Sequence, residues 1–176
     1  MQRVAVIGCG GAGKTTLANQ LGRRLSLPVL HVDGFYWHDC PGIGRVESTP
    51  EQWRAIHEQM ISGEQWVIDG MKLGVLPARL AAADTVVFLD LPTWRCLSGV
   101  LKRRLRYRGQ LRPDLGVYDR INREFIRWIL SFRRCVRPRV LKLLDNADCR
   151  VIILASRREV AAFLGMLPAG RSKIAF

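Results

Sequence analysis

Apolar residues along this chain follow two alternating rhythms. Short, nearly unbroken runs occur at Val4-Ala5-Val6-Ile7, Pro28-Val29-Leu30-His31-Val32, Trp66-Val67-Ile68, Thr85-Val86-Val87-Phe88-Leu89-Asp90-Leu91 and Arg150-Val151-Ile152-Ile153-Leu154-Ala155. Runs this short and this rich in β-branched residues suit strands covered on both faces, as in a parallel sheet. Between them the apolar positions recur at helical spacing. Leu17, Leu21 and Leu25, with Ala18, predict a first helix, and Trp53, Ile56, Met60 and Ile61 predict another that ends near Gly63. The latter opens on Thr49-Pro50-Glu51-Gln52, a hydroxyl cap, a proline at the first helical position and a glutamine closing a capping box. A short helix from Leu73 to Ala83 is interrupted by Pro77, and a longer one runs from Trp94 to Tyr107. A further helix starts near Tyr118-Asp119, with Ile121, Phe125, Trp128, Ile129 and Phe132 on its buried side. Pro138 breaks it, and Val140 to Leu144 add a turn or two. Ser156-Arg157-Arg158-Glu159 caps a last helix through Leu164, and the tail from Pro168 to Phe176 is expected to be poorly ordered. Strands alternating with helices make an α/β chain, and 176 residues make one domain.

The junction between the first strand and the first helix carries the chemistry. Gly8-Cys9-Gly10-Gly11-Ala12-Gly13-Lys14-Thr15 fits G-x-x-x-x-G-K-S/T at every position, in the strand–loop–helix context that the motif requires. A polyphosphate needs many donors close together. Glycines let the main chain wrap it, and the open amides and dipole of the helix start face the anion. Gly8, Gly10, Gly11, Ala12, Gly13, Lys14, Thr15 and Thr16 are therefore the nucleotide-binding set, with Lys14 on the β- and γ-phosphates and the Thr15 hydroxyl on Mg²⁺.

Two other strand ends fall where ligands bind in open α/β sheets. The second strand stops at Asp33-Gly34, where a turn is expected; Asp33 there can accept a proton from an acceptor hydroxyl or help organise the metal. The third stops at Asp69-Gly70, and an aspartate at the end of an apolar strand is the second half of a phosphate-loop metal site. Asp90 reads as structural. Phe35-Tyr36-Trp37-His38 can stack on a ring or pack a small subdomain, and a loop with Pro41, Gly42 and Gly44 follows.

Charge changes the picture once. The net charge is +13, and between Arg95 and Lys142 only Asp114, Asp119 and Glu124 oppose a crowd of arginines. Such a field attracts nucleotides, phosphorylated substrates or nucleic acid. Arg104 and Arg108 are four apart, so they share a helix face; Gly109 through Gly116, with Pro113, reads as a mobile loop. Helix, loop and helix predict a lid that closes on phosphates. Five scattered cysteines without a C-x-x-C pair argue against a disulfide framework or a zinc site, and Cys9 reads as a passive occupant of the loop. No apolar run reaches membrane-spanning length, and the chain enters its first strand without a signal peptide, so a cytoplasmic protein is expected.

With these pieces in place, the chain resembles P-loop kinases of the adenylate-kinase-like group. It is most similar to the bacterial family of DNA topology modulation proteins, on Val29 to Asp33, Trp66 to Gly70, Val86 to Pro92, Leu101 to Gly109 and Ser156 to Val160. The resemblance implies a three-layer P-loop NTPase fold, α/β, with a five-stranded parallel sheet in the order 2-3-1-4-5. It also implies an acceptor-side insertion at 34–64 and an arginine-rich lid at 103–123. One departure stands out. Adenylate kinases follow the third-strand Asp-Gly with Phe-Pro-Arg, whereas here Met71-Lys72-Leu73 follow, so only Lys72 can stand in for that arginine.

The activity expected is transfer of the γ-phosphoryl group of ATP to a small acceptor, a nucleoside or nucleotide. Mg²⁺ would sit on Thr15 and Asp69. Lys14, Asp33, Arg104, Arg108 and Arg112 would be catalytic, with Arg120 and Arg123 as weaker members of the arginine cluster. The alternative is a nucleotide-dependent protein whose basic face grips DNA or RNA, which would release polynucleotide steeply with salt. A guanine-reading N/T-K-x-D sequence is absent, which argues against a GTPase switch.

Overall fold

The computed structural model describes the backbone of residues 1–40, 44–107, 111–112, 117–118 and 121–168, and the side chains of 1–35, 48–107 and 121–168. In chain order the elements are β1 (Arg3–Gly8), α1 (Lys14–Leu25), β2 (Val29–His31), α2 (Val32–Tyr36), β3 (Trp37–Cys40), β4 (Gly44–Glu47), α3 (Pro50–Ile61) and β5 (Trp66–Asp69). After a 3₁₀ turn at Leu73–Val75 come α4 (Leu76–Ala82), β6 (Thr85–Leu89), α5 (Thr93–Arg106), β7 (Leu111–Arg112), β8 (Val117–Tyr118) and α6 (Arg123–Ser131). A π turn at Phe132–Val136 then leads into α7 (Arg137–Asp145), β9 (Arg150–Leu154) and α8 (Arg157–Gly165).

Five strands form one sheet in the order β2-β5-β1-β6-β9, every pairing parallel. Counting only these strands, the order is 2-3-1-4-5. The central strand β1 has Val4, Ala5, Val6 and Ile7 fully buried, because helices cover both of its faces. The apolar residues of β5 and β6 are buried in the same way, and together these strands form the middle of the core. Register then sets the site. Asp69 pairs with Val6 and with His31, so the carboxyl ends of β2 and β5 finish level with the start of the glycine loop. Among the described residues, no helix is long and apolar enough to cross a membrane.

Several local expectations are corrected. The turn at Asp33-Gly34 is instead the first turn of the short helix α2. The loop predicted after His38 is flanked by the antiparallel pair β3–β4, with residues 41–43 outside the described set. Pro77 does not interrupt α4. It sits in the helix's first turn, where its missing N–H has no partner to lose. The helix expected from Tyr118 starts at Arg123, because the Asn122 side chain accepts from the Phe125 amide at 2.7 Å and caps it there. Pro138 does not end the helical region either. The π turn just ahead widens the coil where the proline ring would collide with the preceding turn, and α7 continues from it. The tail expected to be poorly ordered lies, from residue 169, outside the described residues.

Candidate active site

The loop between β1 and α1 leaves the helix start open. Gly13 is the N-cap of α1 in a left-handed conformation, and no side chain caps the first amides. Those donors are available to an anion. The Lys14 Nζ donates to the Cys9 carbonyl at 2.9 Å, which holds the amine over its own loop. Contact with Cys96 and burial push the Cys9 thiol up, so it stays protonated and inert, as a passive loop residue should.

Behind the loop stands α5, and the approach is backbone to backbone. A side chain added at Gly11 would meet the Cys96 carbonyl oxygen at 2.2 Å, and one at Gly99 would meet the Gly11 carbonyl oxygen at 2.1 Å. Only glycine at both positions allows this seating. Gly99 carried no signal in the sequence, because its purpose depends on a partner 88 residues away, the difference between positions 99 and 11.

On the other side of the loop lies the candidate metal position. The Thr15 hydroxyl donates to Asp69 Oδ2 at 2.8 Å, and Asp69 Oδ1 lies 2.5 Å from His31 Nδ1. Asp69 is buried, so sequence positions 15 and 69 do converge as predicted. A hydroxyl and a carboxylate are hard oxygen donors of the kind Mg²⁺ accepts, and Mg²⁺ is commonly held by one or two such groups together with phosphate oxygens. The donor set therefore fits that ion. His31 was not singled out as a site residue; its only signal was its place at a strand end.

A cleft of about 1100 Å³ runs over this floor. Gly10, Gly11, Ala12, Gly13, Lys14, Thr15 and Thr16 line its centre. At one end stand Asp33, Met71, Lys72 and Leu73; at the other stand Arg157, Val160, Ala161 and Leu164 of α8. The wall comes from Lys102, Arg103 and Arg106 of α5 and from Phe125 and Trp128 of α6. Those two rings stack at 6.0 Å with 14° between their planes, and the Arg103 guanidinium lies 6.0 Å from the Phe125 ring centre. Mid-chain guanidinium groups thus line the same cleft as the glycine loop.

They are not quite the expected ones. Arg104 is exposed and is not among the cleft-lining residues, because one step along a helix rotates a side chain by about 100°. Arg103 and Arg106 take the cleft side of α5. Arg108 and Arg120 lie outside the described residues, as does the side chain of Arg112, whose backbone is in β7. Arg123 lines a separate shallow groove with Arg127, Ile126 and Leu130. Asp90 is structural as read: Arg137 clasps it through Nε at 2.9 Å and Nη2 at 2.7 Å.

No protein-family model matches the chain. It is 25% identical to the uncharacterized protein YqaC of Bacillus subtilis (strain 168) over 128 residues, covering 72% of this chain and 70% of that one. Among solved structures it is similar to a sugar kinase from Janibacter sp. HTCC2649, with a TM-score of 0.55, 18% identity, and 94% of this chain and 93% of that chain covered. A shikimate kinase from Acinetobacter baumannii, in complex with shikimate, gives a TM-score of 0.56 at 16% identity, covering 94% and 89%. A gluconokinase from Sinorhizobium meliloti 1021 gives 0.51 at 17%, covering 93% and 91%. The chain therefore has the α/β fold of the P-loop kinases, with its parallel sheet in the order 2-3-1-4-5.

Proposed function

We propose that the protein is an ATP-dependent phosphotransferase that moves the γ-phosphoryl group to a small acceptor, a nucleoside or nucleotide. The observation that carries the reading is the convergence on one cleft of the open α1 amides, Lys14, Thr15 and the α5 arginines, with the buried Asp69 accepting from Thr15 at 2.8 Å. The small-molecule kinases among its structural neighbours and the resemblance to the topology modulation family support the same chemistry.

Each residue then has a task. The loop amides and Lys14 hold the β- and γ-phosphates, and Thr15 and Asp69 are the residues that would hold Mg²⁺. That ion would supply charge neutralisation at the phosphate oxygens. Arg103 and Arg106 face the phosphates from α5, with Arg108 and Arg112 of the lid as further candidates for the same charge. Asp33, exposed at the acceptor end, orients the acceptor hydroxyl and takes its proton. Lys72 at that end suits an acceptor with an anionic group. The base of ATP would extend toward α8. Such a reaction draws on cytoplasmic ATP.

The test is transfer of labelled γ-phosphate from ATP to a panel of nucleosides, nucleotides and small alcohols, with Lys14→Ala as control. Transfer to at least one acceptor, lost in the variant, is expected. Transfer that survives in Lys14→Ala removes the loop from the mechanism, and ATP binding with no acceptor accepted favours the nucleic-acid-binding alternative.

A further inference from the structure

Arg79 of α4 has none of its surface exposed, an uncommon place for a permanently charged side chain. Its Nε donates to His57 Nε2 at 3.2 Å and its Nη1 to the Gly70 carbonyl at 3.0 Å. Its Nη2 is buried with no hydrogen-bond partner among the described residues. Burial lowers its pKa to about 10, while Asp69 and then Asp33 pull the other way, so the guanidinium keeps its charge at neutral pH. His57 is its neutral partner. Burial, and then the charge of Arg79, lower the His57 pKa to about 4, which leaves the Nε2 lone pair to accept and puts the ring proton on Nδ1.

As packing alone this arrangement is costly. A charge has been taken out of water and one of its donors is unsatisfied, where an apolar side chain of similar volume would fill the space more cheaply. What the charge faces explains its placement. The two carboxylates whose charge it feels are Asp69, which accepts from the cleft-lining Thr15, and Asp33, which lines the cleft itself. The carbonyl it grips belongs to Gly70, the residue after Asp69. Gly70 has a φ of +138°, and a side chain there would come within 2.5 Å of Val32 Cβ. Val32 in turn precedes Asp33. One guanidinium beneath the floor therefore bears on the strand end that carries Asp69, on the helix start that carries Asp33, and, through His57, on α3.

We propose that Arg79 is a positioning residue for the reaction, a buried clip on Gly70 that holds the neighbouring Asp69 carboxylate beside Thr15. The proposal rests on the phosphotransferase reading, because it requires Asp69 to be a metal ligand. Arg79 lies under the floor and is not among the cleft-lining residues, so it acts through its neighbours rather than on substrate.

The test reads metal binding rather than turnover. Mn²⁺ serves as probe, and the spectrum of free Mn²⁺ gives its dissociation constant in the protein–ATP complex. Arg79→Met, similar in volume and uncharged, is expected to weaken Mn²⁺ by about tenfold or more, the usual effect of losing a group that orients a ligand. ATP affinity without metal should stay as in the wild type, which a general loss of structure would not allow. Arg79→Lys, which keeps the charge and can reach one acceptor, should recover most of the Mn²⁺ affinity. Should the methionine variant fail to fold, Arg79→Leu, which likewise cannot donate to Gly70, replaces it with the same expected weakening. Unchanged Mn²⁺ affinity overturns the proposal. Tighter binding overturns it too, because that is what a mere competing positive charge would produce on removal. A wild-type protein that binds neither ATP nor Mn²⁺ defeats the phosphotransferase reading itself, and this proposal with it; a wild type that binds both while the variants match it defeats this proposal alone.

Discussion

The two ends of the cleft are built by different means. At one end, one contiguous stretch from Gly8 to Thr15 supplies the floor, mostly as main-chain amides at the open start of α1. At the other end, Asp33 comes from α2 and Lys72 from the turn after β5, with Arg79 of α4 and its partner His57 of α3 buried behind them. Main-chain recognition suits a ligand that many proteins share, since every residue brings the same amide. Side chains gathered from separate parts of the chain suit a ligand that must be told apart from others, since each can vary separately.

If this division holds, substitutions at the two ends should fail in different ways. Lys14→Ala is expected to have the largest effect, lowering phosphoryl transfer by about 10²–10³-fold, the scale for losing a charged group aimed at the transferring phosphate; release of ADP in the presence of acceptor measures it. Asp33→Asn should reduce kcat by about 10²-fold, as for loss of a general base, and leave ATP affinity as it was. Weakened ATP binding in that variant would place Asp33 at the phosphate end and erase the distinction.

Stability separates the ends further. Gly11→Ala drives a methyl group into the Cys96 carbonyl at a backbone angle of φ +78°, and should cost about 2 kcal/mol in urea unfolding. Unaltered stability would mean that the loop is not pressed on α5. The acceptor end should instead respond to acid through His57. Its folded pKa of about 4 lies below the unfolded value of 6.5, so the unfolded chain binds more protons between these limits. Stability from this group is therefore complete above pH 6.5 and declines as pH falls toward 4, by roughly 1 kcal/mol per pH unit. His57→Gln keeps an acceptor for Arg79 but does not titrate, and unfolding curves across that window should lose the slope.

The glycine loop could be read from the chain because its signal is local. A glycine loop, a lysine and a threonine at fixed spacing define the cradle wherever the strand and helix form. The strand end at Asp69 was legible for a related reason, since apolar strands that stop at an acid mark the carboxyl edge of a parallel sheet. The cleft side of α5 was not. A four-residue spacing shows that Arg104 and Arg108 share a face, but only the packing of Cys96 and Val100 into the core turns Arg103 and Arg106 toward the loop. Arg79 was invisible for a stronger reason. A lone arginine on a seven-residue helix looks like surface, and nothing nearby in sequence tells of His57 or Gly70.

Sequence alone determined the elements that carry their own periodicity or their own hydrogen-bonding motif: the parallel strands, the Thr49 capping box and the glycine loop at the open start of α1. Tertiary structure alone decided which side chains share a floor, how closely the loop sits on α5, and where a buried charge can rest. Amides and apolar periods act over a few residues, whereas burial and through-space charge depend on what the sheet order brings together. The residues most worth changing belong to that second group.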